Sequence, residues 1–354
     1  MKVSRQWAVG SRQWRSLDLP ADPVAWTLRT TILIFFIFLG FPANAAERDG
    51  RWAILLSGAP GDPDLQKQYL QELTDLHSVL RNVLGFPEDQ IAVLFIDPSK
   101  NPGMIRYRSD REGLQDVCRE LSTRARKEDL VFVFIEGHGS YDGKTYKLNL
   151  VGSPDPTAEE LALLLYSIPA QRFIVVNATS CSGGSIPALS GKGKVVIAST
   201  KSGMERNQTH FGRVFVDGFK DDAADSDKNG RISMMEAFSH ASRAVEEYYK
   251  RAGNLQTEHP VLEDNGDARA QALPAPDNGE GLLARISFLD AGVPTGVLAN
   301  LTPEQQKLAA EARDLETQID ALKYAKSEMP EAEYEKKLEA LLLRLAKINA
   351  QLPK

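Results

Sequence analysis

The stretch that decides the fold is Phe173–Gly184, FIVVNATSCSGG. Its run of aromatic and β-branched residues, Phe173 to Val176, reads as a strand covered on both faces, as in a parallel sheet. The run stops in small polar residues and glycines, with Cys181 just past its end. Upstream, Leu130–Gly139 (LVFVFIEGHG) repeats the design, with His138 just beyond the apolar run. Reaction sites of open α/β sheets lie beyond the carboxyl ends of the strands. Two successive strand ends, one carrying His138 and the next Cys181, therefore suggest an imidazole–thiol pair.

Outward from these strands the pattern alternates. Trp52–Ser57, Ile91–Ile96 and Lys194–Ser199 read as further strands. Leu65–Leu84 and Arg111–Arg126 carry apolar residues at helical spacing, and Thr157–Tyr166 reads as a helix opened by a Thr157/Glu160 capping box. Strands alternating with helices predict an α/β domain with a mostly parallel, helix-covered sheet. Right-handed crossovers then put the strand carboxyl ends on one edge. Thr145–Val151 is read as a short edge hairpin, Asp267–Gly281 as a loop rich in Ala, Pro and Gly, and Leu282–Leu289 as one more strand.

The flanks are different. Residues 1–45 combine a basic leader (Lys2, Arg5, Arg12, Arg15, Arg29), the apolar run Thr30–Phe41 and the small-residue site Ala43-Asn44-Ala45. That order is expected of a signal peptide, cleaved after Ala45, and predicts a secreted or periplasmic protein; a membrane contact follows only if the segment stays uncleaved. Cleavage removes five positive and two negative charges and moves the net charge from −6 to −9. No block rich in Lys or Arg is present, so nucleic acid is not an expected partner. Residues 46–300 form the expected main domain. From Leu301 onward, Leu308, Ala312, Leu315, Ile319 and Leu322, then Tyr334, Leu338, Leu341, Leu345, Ile348 and Leu352, keep heptad spacing around a break at Met329-Pro330. Residues 301–354 are therefore expected to form a helical hairpin or short coiled coil, a surface open to a helical partner.

The chemistry rests on two constellations. A nucleophilic cysteine needs a thiolate, an imidazole to carry the proton, and donors for the oxyanion. Cys181 is the candidate nucleophile and His138 the candidate acid/base, with the backbone N–H groups of Gly139 and Cys181 as oxyanion donors. Glycines 137, 139, 183 and 184 would permit close approach of a substrate. Cys118, on the apolar face of the helix over Leu114–Ala125, reads as core, so Cys181 is expected to be a free thiol. The second constellation is DSDKNGRISMME: Asp225, Asp227, Asn229, Arg231 (through its carbonyl) and Glu236 hold ligand positions 1, 3, 5, 7 and 12 of an EF-hand loop. Gly230 supplies the sharp turn, and a Ca2+ ion in a structural or activating role is the expected occupant. TEHPVLEDNGD, with His259 and Glu263–Asp267, makes a second acidic turn whose spacing is too short for another EF-hand, and it is read as a surface turn.

At the His-Gly and Ser-Cys strand ends the chain resembles the caspase-like (clan CD) cysteine peptidases, the legumain-type family more than caspases proper. The resemblance spans about Trp52 to Asp217. His138 precedes Cys181 by 43 residues, close to the spacing of about 50 in caspases. It implies a caspase-like three-layer α/β/α sandwich and peptide-bond hydrolysis through a Cys181–His138 dyad with Gly139 as oxyanion donor, no cofactor being needed for the chemistry. It also implies that Ser199 and Thr200 line the first specificity pocket. Legumain-type enzymes that cut after asparagine carry an acidic residue two before the cysteine, where this chain has Thr179, and an arginine segment after the first strand that Ser57–Pro63 lacks. The alternative is an inactive calcium-binding scaffold of the same fold that acts through its helical tail. A serine hydrolase would need a G-x-S-x-G elbow, and none exists.

Overall fold

The computed structural model describes residues 49–152, 154–290, 302–326 and 329–351. The leader and Ala45 lie outside the described residues, as do Leu301 and Leu352. Seven strands form one sheet: β1 (Arg51–Ser57), β2 (Ile91–Phe95), β3 (Ile105–Arg108), β4 (Leu130–Glu136), β7 (Arg172–Asn177), β8 (Lys194–Ala198) and β9 (Val261–Glu263), in the order β3-β2-β1-β4-β7-β8-β9. All neighbours pair parallel except β9, which runs antiparallel to β8. A separate hairpin pairs β5 (Gly139–Tyr141) with β6 (Tyr146–Leu148).

The central strands of the sheet are buried on both sides because their interiors, such as Trp52–Leu56, Leu130–Ile135 and Phe173–Val176, are apolar runs. Ala53 and Leu55 of β1, with Phe132 and Phe134 of β4, pack against α1 (Pro63–Asn82), α5 (Phe211–Gly218) and α6 (Met234–Ala252). The alternate residues Trp52, Ile54, Leu56, Val131 and Val133 pack against α2 (Arg111–Arg124), α3 (Ala158–Leu165) and the single turn α4 (Ile186–Leu189). The result is a three-layer α/β/α sandwich with a mostly parallel sheet. Cys118 lies in the second of these layers, and burial pushes its thiol up to about 12, as befits a core residue. The capping box of α3 is formed as its sequence predicts.

Several elements differ from the sequence reading. Leu282–Leu289 is not a strand: it is the one-turn helix α7 (Leu282–Arg285), then a single bridge between Phe288 and Ser233. The last strand is instead the three-residue β9, just after Pro260. The edge strand β3 and the helix α5 went unforeseen, and the predicted edge hairpin begins earlier, at Gly139. At the carboxyl end, α8 (Pro303–Tyr324) and α9 (Glu331–Asn349) form the expected hairpin, with Ala312, Leu315 and Ile348 buried between Leu308, Leu341 and Leu345. Among the described residues no helix is long and apolar enough to cross a membrane.

Candidate functional site

The register of the central strands brings the two chemical loops together. β4 and β7 pair from Leu130↔Arg172 to Ile135↔Asn177, and the Ala178 N–H continues the ladder to the Ile135 carbonyl at 2.8 Å. The loops beyond are joined one residue from each functional side chain: the Gly139 N–H donates to Ser180 Oγ at 3.1 Å, and Ser180 Oγ donates back to the Gly139 carbonyl at 3.1 Å. A side chain at Gly139 would collide with Tyr146 and the Ser180 carbonyl, so only glycine allows this approach. His138 is half-buried, with the Tyr69 ring edge-on at 6.2 Å between centroids.

Cys181 is a free thiol with 1% of its surface exposed. Its backbone is left-handed, φ 60° and ψ 7°, and starts the turn Ser182–Ser185. A non-glycine residue there stores roughly 1–3 kcal/mol of strain and persists only when its surroundings over-determine it. They do so through a dense polar network. Asn177 Oδ1 accepts from Thr179 Oγ1 at 2.8 Å, Thr179 Oγ1 and Tyr146 OH share a bond of 2.7 Å, and Asn177 Nδ2 donates to Ser185 Oγ at 3.0 Å. Thr179, two residues before Cys181, is thus a buried brace.

Ser199 and Thr200 sit at the end of β8, fully buried, beneath the Cys181 loop. Ser199 Oγ donates to the Thr179 carbonyl at 2.8 Å and bonds Ser182 Oγ at 3.0 Å. Thr200 Oγ1 accepts from the Gly183 N–H at 2.9 Å and donates to the Ser202 carbonyl at 3.2 Å. Their hydroxyls are taken up in holding the loop. Likewise, Gly183 and Gly184 press against the segment 200–203 and Tyr141, so the close approach they permit is to the protein itself, and the left-handed residue in this turn is Cys181.

Both expected oxyanion donors have partners. The Gly139 N–H is on Ser180, and the Cys181 N–H donates to the Glu205 carbonyl at 2.8 Å. The segment Lys201–Arg206 therefore closes over the cysteine, and it is latched. The Glu205 carboxylate accepts from the His259 N–H at 3.1 Å and the Lys201 N–H at 3.0 Å and meets His259 Nδ1 at 2.5 Å. Arg206 donates to the Tyr141 carbonyl at 3.1 Å. Burial pushes the Cys181 thiol up, and the Arg206 charge opposes this. Sequence reasoning missed Glu205, Arg206 and Tyr146; no local pattern marks them, since their partners lie 33 to 65 residues away.

A pair of acids lies below His138. Glu72 and Glu136 are buried side by side with their carboxyl groups facing one another, each with one oxygen that no N–H or hydroxyl donor reaches, and Tyr69 OH lies beside them without a partner. Desolvation first, and then the facing Glu72, raises Glu136 well above the ordinary carboxylate range.

The loop Asp225–Glu236 folds its carboxylates onto its own backbone. Asp225 accepts from the Asn229 and Gly230 N–H groups at 3.0 and 2.8 Å, and Glu236 Oε1 accepts from the Ser226 N–H at 3.0 Å. Glu236 Oε2 also completes the α6 capping box with Ser233. One oxygen each from Asp225, Asp227 and Glu236 falls within a 4.8 Å cluster, and burial with these neighbours raises Asp227. Oxygen donors around uncompensated negative charge fit a hard cation. The Arg231 side chain turns away, paired with Asp290 at 2.9 Å and 3.7 Å over the Phe288 ring, which leaves only its backbone to the loop. A cavity of about 640 Å3 separates this loop from α8 and α9.

No family model matches the chain, and no curated protein does. A solved structure does resemble it. This is a crystal structure of a protein from Geobacter sulfurreducens, 13% identical, covering 66% of this chain and 97% of that one at a TM-score of 0.42.

Proposed function

We propose that the protein is an exported, caspase-like cysteine endopeptidase, with Cys181 as nucleophile and His138 as proton carrier. The observation that supports the reading is the joined pair of strand-end loops, in which Gly139 and Ser180, the chain neighbours of His138 and Cys181, bond reciprocally. In this reading Cys181 Sγ attacks the peptide carbonyl carbon and its proton passes to His138. The imidazolium then protonates the leaving amine, and water hydrolyses the resulting thioester. The Cys181 N–H, freed from Glu205, and the Gly139 N–H would meet the developing oxyanion. The enzyme as it stands is closed: a substrate carbonyl must take the place of the Glu205 carbonyl. Calcium at Asp225, Asp227, Asn229, the Arg231 carbonyl and Glu236 would fix the start of α6, whose Tyr249 touches the same Glu258 that caps α5.

The closed thiol and its engaged donors also suit a second reading, an inactive calcium-binding scaffold that works through α8 and α9. Labelling by a peptide-based thiol-reactive probe, with and without calcium, separates the two. Labelling that disappears in Cys181→Ala and falls in His138→Ala supports the peptidase. A folded protein that stays unlabelled in every condition supports the scaffold.

A further inference from the structure

The acidic turn after β9 is not a surface turn. Glu263 and Glu280 are 0% and 1% exposed, although the chain between them is a polar loop. One oxygen from each, with one from the exposed Asp267, falls within a 4.8 Å cluster. Each buried carboxylate is half satisfied. Glu263 Oε1 accepts from the Gly266 N–H at 2.5 Å, and Glu280 Oε2 from the Asp264 N–H at 2.8 Å. The remaining oxygens, Glu263 Oε2 and Glu280 Oε1, are buried with no N–H or hydroxyl donor within hydrogen-bond distance, and the Glu280 carboxyl faces that of Asp264. Buried carboxylate oxygens are ordinarily paired or bound to a metal.

We propose that Glu263, Asp267 and Glu280 form a second hard-cation site, of the size and oxygen chemistry that suits Ca2+, separate from the Asp225–Glu236 loop. The cluster contains no histidine or cysteine, which excludes a softer transition-metal preference. Oxygens bound to calcium at 2.3–2.6 Å lie up to about 5 Å apart, and this spread matches. The surrounding bonds hold the site's shape without filling it. Asp264 accepts from the Gly281 and Ala284 N–H groups at 2.8 and 2.7 Å, pinning the 280 segment to the turn. Asn265 donates to the Gly279 carbonyl at 3.4 Å. Lys194, close enough to feel Glu263, has its ammonium 3.3 Å from the Tyr166 ring centre. The segment that follows reaches the other loop, where the Met234 N–H donates to the Ser287 carbonyl at 2.8 Å. One strap, Glu280–Asp290, therefore ties the two acidic sites together, and a cation at the second would fix β9 and the edge of the sheet.

The test is calcium titration of the metal-stripped chain by isothermal calorimetry, with folding checked by circular dichroism. The wild type and three variants are compared: Glu236→Gln, which disables only the loop, the exposed Asp267→Asn, and the buried Glu280→Gln. Glu236→Gln should retain one calcium per chain, and adding Asp267→Asn should weaken that remaining site by about tenfold or more. Glu280→Gln should abolish it. A Glu236→Gln chain that binds no calcium, or whose affinity Asp267→Asn leaves unchanged, overturns the proposal. So does a Glu280→Gln chain that is more heat-stable than wild type both with and without calcium, since the cluster would then be relieved by a proton. If the loop binds nothing, wild type and Glu236→Gln both bind one calcium that Asp267→Asn weakens, and the second site stands alone.

Discussion

The loop around Cys181 and the turn around Glu263 are both buried and both polar, yet their polar groups are in opposite conditions. Around Cys181 the donors that matter have partners within the chain: Gly139 on Ser180, Cys181 on Glu205, Gly183 on Thr200. Around Glu263 two carboxylate oxygens have no N–H or hydroxyl donor. A satisfied buried group resists change, whereas an unsatisfied one costs the desolvation of that group, about 1–3 kcal/mol or more when charged. The first region must therefore be opened before a ligand can enter, and the second is completed by one. In the proposed reading, chemistry at the first would work by displacement, and binding at the second by neutralisation.

The largest effect that would break this comparison is at the thiol. Cys181→Ala should abolish probe labelling and any peptide hydrolysis. His138→Ala should lower the rate about 10²–10⁴-fold, the usual contribution of a positioned acid/base. Labelling of the Cys181→Ala protein at an unchanged rate would move the reaction to another residue, of which Cys118, buried in the core, is the only other thiol in the chain.

The next concerns the acids beneath His138, which share the unsatisfied condition of the Glu263 turn. The proton on Glu136 is held more tightly in the folded chain than in the unfolded one. Its contribution is thus full below the unfolded carboxylate value of about 4.3 and declines as pH rises towards the folded value, by up to about 1.4 kcal/mol per pH unit. Glu136→Gln removes that slope. Thermal unfolding at pH 5 and pH 8 should find the variant gaining on wild type as pH rises. An equal difference at both pH values would mean that Glu136 is not the group holding the proton.

How far these features could be read in advance follows from the range of the interactions. The strands leading to His138 and Cys181 are continuous apolar runs, and the Asp225–Glu236 loop keeps all its oxygen-donor residues within twelve residues, so each declared itself locally. β3, with the sequence Ile-Arg-Tyr-Arg, is a short edge strand with alternating exposure and no apolar run. Leu282–Leu289 is apolar enough to pass for a strand, but Asp264 caps the Gly281 and Ala284 N–H groups and turns it into a helix. That cap lies 17 to 20 residues away. The Glu263 turn is composed of residues that favour the surface. Its burial depends on Glu280, and the latch on Cys181 depends on His259 meeting Glu205 across 54 residues. Contacts of that span leave no periodic trace.

The smallest effect is also the one that most sharpens the contrast, because it changes a satisfied region without touching its reacting atoms. Glu205→Ala keeps the backbone carbonyl that accepts the Cys181 N–H but removes the carboxylate that ties the segment to His259 and Lys201. Besides meeting the His259 ring, the carboxylate accepts from the His259 and Lys201 N–H groups, and such bonds contribute about 0.5–1.5 kcal/mol each. A loss of roughly 1–1.5 kcal/mol of latching would raise the open fraction about five- to tenfold, and the labelling rate of Cys181 with it, while the open state reacts as before. His259→Ala, which removes only the ring contact, should act in the same direction but less, and the double variant should match Glu205→Ala, which has already removed that contact. If the labelling rate is unmoved in both, the Lys201–Arg206 segment is held instead by the Cys181 N–H and by the Arg206 side chain on the Tyr141 carbonyl, and opening must begin at Tyr141.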